Sequence, residues 1–289
     1  MKETKRELGL FLILTFIITY GLGIIALIKG GLEQFPVARY SMYIPAIVVL
    51  ILYLFVFKKP VFKNNDIGLK FKGWKYWFIA PITIFGITSL TFLISYIISP
   101  ELILDKEKII SSANDFLDVN NWTLSLTIIF LLNVLIAPLL NIFMFLGEEI
   151  GWRSFMTPRL LKLFNPFTAF LIAGFVWGIW HAFGIIMGLN YPGNPIIGNI
   201  MMILLMIPIG IIFQYFYFIS KSIFVPALAH GALNWTATTY LMFVFNSDKV
   251  DTLIYGPTGI VGLIIWWIFG IWFFTKFKTA YNTQYSKKR

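Results

Sequence analysis

Eight stretches of this chain are long, apolar and almost free of charge, and nothing else in the sequence constrains its fold as strongly. They lie at Leu8–Ile28, Ser41–Phe57, Trp77–Ile98, Thr123–Leu146, Phe167–Leu189, Asn199–Ile219, Ile223–Phe245 and Pro257–Phe277. A hydrocarbon core about 30 Å thick is crossed by about 20 apolar residues of helix. Membrane β-strands are about half as long and alternate in polarity, whereas these runs are apolar all round. Only 12% of the residues are charged, against roughly a quarter in soluble domains. That is too little charge to solvate a globular surface. The expected fold is an all-α integral membrane protein: one multi-pass domain over residues 1–289, built as a bundle of eight transmembrane helices. The first run exceeds the 7–15 apolar residues of a signal peptide and reads as a retained helix.

The net charge of +10 is a matter of sidedness. With the N-terminus inside and the spans alternating, 18 of the 23 Lys and Arg residues fall on the inner side. The other five, Lys29, Arg39, Lys106, Lys108 and Lys249, fall outside. Basic loops mark the cytoplasmic face, so both termini are expected in the cytoplasm, with residues 279–289 as a mobile tail. The partner this composition implies is the lipid bilayer, and no nucleic acid is expected. Abundant Ile, Lys, Asn and Phe point to a prokaryotic plasma membrane. The longest outer loop, Ser99–Asn121, has helical character around Asp105–Leu117. Cysteine is absent, which excludes a thiolate nucleophile, a disulfide framework and a Cys-based zinc site.

A charge inside a bilayer costs about 2.5–3.5 kcal/mol even on the gentler insertion scales, so the intramembrane polar residues carry the information. Three clusters stand out within residues 123–245, the expected catalytic core. In Gly147-Glu148-Glu149-Ile150-Gly151-Trp152-Arg153, Glu149 and Arg153 share a helical face and can pair. Glu148 lies about 100° away around the axis, without a local cation, which suits a general base. His181 follows Trp177 by one turn in the fifth segment. His230 and Asn234 are one turn apart in the seventh and point into the same space. Each cluster alone admits a structural use: an interfacial helix end, a histidine on a backbone carbonyl, or interhelical hydrogen bonding. Both histidines of the chain, an acidic pair and an amide on spans that a bundle must bury point instead to a site. His-Glu-x-x-His is absent, which excludes a zincin-type centre.

These three clusters resemble the motifs of the CPBP family of intramembrane proteases, which includes the type 2 CAAX prenyl endopeptidases and the bacterial Abi or bacteriocin-immunity proteins. The family pattern is Glu-Glu-x-x-x-Arg, Phe-x-x-x-His and His-x-x-x-Asn or Asp. Here the three read Glu148-Glu149…Arg153, Trp177…His181 and His230…Asn234, with Trp177 where the family usually has Phe. The resemblance covers roughly Leu146–Ala237 and implies an eight-helix fold that hydrolyses a peptide bond with activated water. It makes Glu148 the general base, aided by His181. His230 and Asn234 hold the oxyanion, and Glu149, Arg153 and Trp177 support them. It leaves the cofactor as none or a divalent metal such as zinc, the metal ligands then being Glu148, His181 and His230. The implied substrate is a membrane-associated peptide or protein, either a prenylated CAAX type or a bacterial peptide. The alternative is a non-enzymatic immunity or scaffold protein that binds a peptide in the same cavity.

One mismatch follows from the spans. Glu148 falls at the inner boundary, while His181 lies about 14 residues into its helix and His230 about 7, at about 1.5 Å per residue. The expected resolution is a fifth helix that starts later, after an interfacial stretch Met156–Asn165. A water-filled cavity should then open to the cytoplasm or laterally.

Overall fold

The computed structural model describes residues 1–58, 67–116, 121–246 and 248–286. Lys59, Lys63, Lys287, Lys288 and Arg289, counted above among the Lys and Arg residues, lie outside the described residues, as do Asp66 and Asp118. The protein is all-helical, with no strand among the described residues. In chain order the α-helices are α1 (Lys2–Ile28), α2 (Ile44–Ile51), α3 (Tyr76–Ile98), α4 (Lys106–Phe116), α5 (Trp122–Leu131) and α6 (Ala137–Leu140). They continue with α7 (Ile142–Glu149), α8 (Thr157–Leu163), α9 (Pro166–Trp180), α10 (Ala182–Ile186), α11 (Pro195–Ser220), α12 (Phe224–Phe243) and α13 (Ile260–Ser286). Six helical stretches are long and apolar enough to cross a membrane: Lys2–Ile28, Pro36–Val56, Tyr76–Ile98, Thr123–Leu140, Pro195–Ser220 and Ile260–Gln284. Apolar side chains such as Ile17, Phe55, Phe143, Phe175, Ile196 and Ile268 are exposed on the outside. Water would penalise such a surface, and lipid tails do not.

The two remaining expected spans differ for local reasons. The fifth, α9, stops at Trp180. There the amide of His181 bonds to Gly178 O (3.1 Å) instead of continuing the α-helical pattern, and its own Nδ1 bonds to Trp177 O (2.8 Å). The imidazole takes the carbonyl that the next turn needs, and the helix ends. The seventh, α12, is 20 residues long but carries His230, Asn234, Thr236, Thr238 and Thr239, which lower its apolarity.

Besides Leu52–Val56, two helical runs are widened into π turns, at Leu132–Ile136 and Ile150–Met156. Pro138 and Pro158 stand just after them. A proline has no N–H to give the carbonyl four residues back, and its ring crowds that carbonyl. A wider preceding turn relieves both problems. In the second case Thr157 Oγ1 donates to Trp152 O at 2.7 Å, satisfying one of the displaced carbonyls.

These features correct the depth expectation. The fifth helix does not start later than drawn: α9 starts at Pro166, and the stretch Met156–Asn165 before it carries Arg159, which pairs with Glu7 at the face of the helix ends. The chain breaks instead at Asn141, whose Nδ2 donates to Ala137 O at 3.0 Å. A fresh helical run then carries Glu148 inside the bundle. The C-terminal tail is helical as far as Ser286.

Hydrogen bonds tie the helix ends into two opposite faces. On one face Arg159 pairs with Glu7 (2.9 Å), Ile223 N donates to Gly68 O (2.9 Å) and Lys221 Nζ to Gln284 Oε1 (3.1 Å). On the other, Leu104 N donates to Val244 O (2.9 Å), Ser99 and Tyr255 share a hydroxyl bond (2.7 Å), and Tyr191 donates to Thr258 O (2.8 Å). Burial pushes the Tyr191 phenol above its ordinary pKa, so it keeps the proton it donates. Between these faces α9 and α13 pack on α11, and α12 packs on α3 and α7.

Candidate active site

Glu148, His181, His230 and Asn234 line one cavity of about 740 Å³. They come from three separate helical runs: α7 with its π extension, the end of α9, and α12.

Glu148 is 2% exposed. Its Oε2 accepts from the indole N–H groups of Trp177 (2.7 Å) and Trp152 (3.3 Å). Two donors on one oxygen compensate the burial of a carboxylate. They leave Oε1 toward the cavity that Glu148 lines. Trp152 is a functional residue that sequence reasoning missed. Its signal was present, since it follows Glu148 by four residues and therefore shares its helical face.

Glu149 is fully buried and has both oxygens engaged. Oε2 accepts from Arg153 Nε at 3.0 Å, and Oε1 pairs with His230 Nδ1 at 2.9 Å. The Glu149–Arg153 pair is the one the spacing suggested. The bond from His230 to Glu149 is the part no spacing suggested. It fixes the imidazole as a carboxylate fixes a catalytic histidine, with Nδ1–H committed and Nε2 free to act. The Arg153 guanidinium also lies 4.1 Å from the Trp177 ring centre, a cation–π contact inside the bundle. Trp177 thus stacks on the cation that neutralises Glu149 and donates to Glu148.

His181 bonds through Nδ1 to a carbonyl, which only accepts, so Nδ1 carries the hydrogen and Nε2 presents a lone pair. The Trp177 ring centre lies 6.0 Å from the His181 ring and 5.7 Å from the His230 ring. Neither imidazole faces lipid. Asn234 is exposed within the cavity, one turn beyond His230. The first helix holds the end of α9 in place: Trp180 Nε1 donates to Thr19 Oγ1 (3.0 Å) and Tyr20 OH to Ile179 O (2.7 Å).

Residues 121–236 match the family model of Type II CAAX prenyl endopeptidase Rce1-like proteins. The chain carries an Rce1-like domain. This agrees with the CPBP resemblance, and the Rce1-like segment holds every motif residue from Glu148 to Asn234. At family level the match points to an intramembrane protease, and the apolar helices support a multi-pass membrane protein. No curated protein matches it. The cavity of this Rce1-like chain draws on more than the matched segment: Thr19 and Gly23 of α1, Arg39 and Met42 after it, and Trp266 of α13 also line it.

A catalytic zinc takes three protein ligands and leaves one position open. Among the described residues no three His, Asp or Glu side chains come together to hold a metal ion.

The cavity also has a direction. Its rim is formed by Leu32, Arg39, Asn190, Pro192, Val250 and Thr252. These residues belong to the loops after α1, after α10 and before α13, on the face away from both termini. The floor is at mid-depth, at Glu148, Trp177 and His230. Of the two expected openings, cytoplasmic or lateral, one on the side of the termini is closed, because the helix run that carries Glu148 seals the cavity below. Trp152, Arg153 and Phe155 of that run are buried.

Proposed function

We propose that the chain is an intramembrane endopeptidase that hydrolyses a peptide bond with water activated by Glu148, the helices spanning the membrane eight times with both termini in the cytoplasm. In this reading Oε1 of Glu148 takes a proton from water, and Nε2 of His181 accepts the second hydrogen bond that aims it. The oxygen attacks the scissile carbonyl carbon. The negative charge that develops on the carbonyl oxygen is met by Nε2–H of His230 and Nδ2–H of Asn234, donors that contribute most when preorganised in a site shielded from water. For His230 to donate there, both ring nitrogens must carry hydrogen, and the carboxylate of Glu149 supplies the countercharge. The buried charges of Glu148, Glu149, Arg153 and His230 then sum to zero. As the C–N bond breaks, Glu148 returns its proton to the leaving nitrogen.

The observation that carries this reading is a free carboxylate oxygen, two oriented imidazoles and an amide around one cavity. The cavity is large enough for several side chains of an extended peptide, and five methionines among its lining residues suit varied apolar side chains. A membrane-anchored peptide with apolar side chains is therefore the proposed substrate class.

The test is cleavage of a membrane-anchored reporter peptide by purified protein in liposomes. Glu148→Gln, His181→Ala and His230→Ala should each lose about 10²–10⁴-fold in kcat, the scale of general acid–base catalysis. Asn234→Ala should lose about 10²–10³-fold, the scale of one oxyanion donor. Variants that stay folded and cleave at the wild-type rate would overturn the proposal.

A further inference from the structure

Two independent observations bear on which side of the membrane this site serves. The first is the direction of the cavity. Every residue of its rim belongs to the face defined by the Leu104–Val244, Ser99–Tyr255 and Tyr191–Thr258 bonds. The lining descends along α12 from Leu241 through Thr238 and Asn234 to His230. No lining residue comes from the opposite face, where Gly68, Arg159, Lys221 and Gln284 lie.

The second is charge. Among the described residues the face of the termini carries twelve Lys or Arg residues and two acids, Glu3 and Glu7. The rim face carries five basic residues and seven acidic ones, including Glu33, Glu101, Asp248 and Asp251. Arg153 belongs to neither, being paired inside the bundle. The Lys and Arg excess of short loops sets orientation, and here it puts the sealed side of the bundle in the cytoplasm.

We infer that the cavity is loaded from the non-cytoplasmic face, and that its substrate is an apolar peptide segment presented there, at the outer end of a membrane anchor or on an exported peptide. This rests on the proteolytic reading for its substrate, and on geometry and charge alone for its sidedness. A tail that is modified and kept in the cytoplasm would meet the buried floor of the cavity instead of its rim.

The chain has no cysteine, so each single-cysteine variant carries one thiol. Arg39→Cys and Thr252→Cys mark the rim, Thr238→Cys the wall and Lys72→Cys the opposite face. Right-side-out vesicles from expressing bacteria are treated with a membrane-impermeant maleimide. The expected result is labelling of the rim and wall variants in intact vesicles, and of Lys72→Cys only after permeabilisation. The reverse pattern would overturn the inference. This readout needs no proteolysis, so it stands whether or not the protein cleaves anything. In the second arm, one scissile segment is placed either outside or inside the same membrane anchor. The outward reporter should be cut, and labelling Thr252→Cys from outside should abolish that cutting. Equal or preferential cutting of the inward reporter would also overturn the inference. Cleavage of neither reporter by a correctly oriented protein would fault the proteolytic reading and not the sidedness.

Discussion

Glu149 ties the candidate site together, and in the proposed mechanism it takes no direct part in the chemistry. It sits between Arg153 and His230, and all three are buried. Removing one partner of a buried ion pair leaves a charge without compensation, at a cost of about 3–5 kcal/mol. Glu149→Ala should therefore lower thermal stability in detergent and abolish cleavage. The double variant Glu149→Leu, Arg153→Met removes both charges and should recover most of that stability. It should not recover activity, because His230 still lacks the group that orients it. Recovery of both would mean that Glu149 is only a packing residue. At this scale the sequence was partly legible. The pairing of Glu149 with Arg153, and in principle of Glu148 with Trp152, follows from helical geometry within one turn. The bond from His230 to Glu149 joins residues 81 positions apart, and no local rule reaches that far.

Among the elements, α9 matters most because its end sets the depth of His181. It packs on α11 through glycines: a Cβ on Gly178 would lie 2.4 Å from the Ile203 Cα. A backbone atom cannot move aside as a flexible side chain can, so Gly178→Ala must push the helices apart. The expected cost is about 1–3 kcal/mol, the usual range for overpacking, together with lower activity as His181 shifts. Gly86 of α3 is a control, since nothing lies within 4 Å of a Cβ there. Gly86→Ala should raise stability by about 0.5–1 kcal/mol, the helix-propensity difference. Thermal unfolding followed by tryptophan fluorescence separates the two, and equal effects would contradict the close contact of α9 with α11. The apolar runs announced the helices, but not where α9 stops or where Asn141 interrupts the fourth run. Those ends depend on a side chain that competes with the backbone for one carbonyl, which hydrophobicity does not register.

For the whole molecule, the matched segment does not build the cavity by itself. Thr19 and Tyr20 of α1 hold the end of α9, and Trp266 of α13 closes the cavity wall. Residues 121–236 expressed alone should therefore show no cleavage in the reporter assay, while the full chain cleaves. A fragment as active as the full chain would sink the claim that α1 and α13 complete the site. By itself the sequence determined that this is a helical membrane protein, which side its charges favour, and which side chains are too costly in lipid to be incidental. Each follows from composition or from spacing within a turn, terms that add up locally along the chain. Only the tertiary structure decided that His230 turns to Glu149. It alone decided that the cavity opens away from the termini. Both depend on how distant helices meet, and that is fixed by side-chain contacts across the bundle, not by the order of residues in any one run.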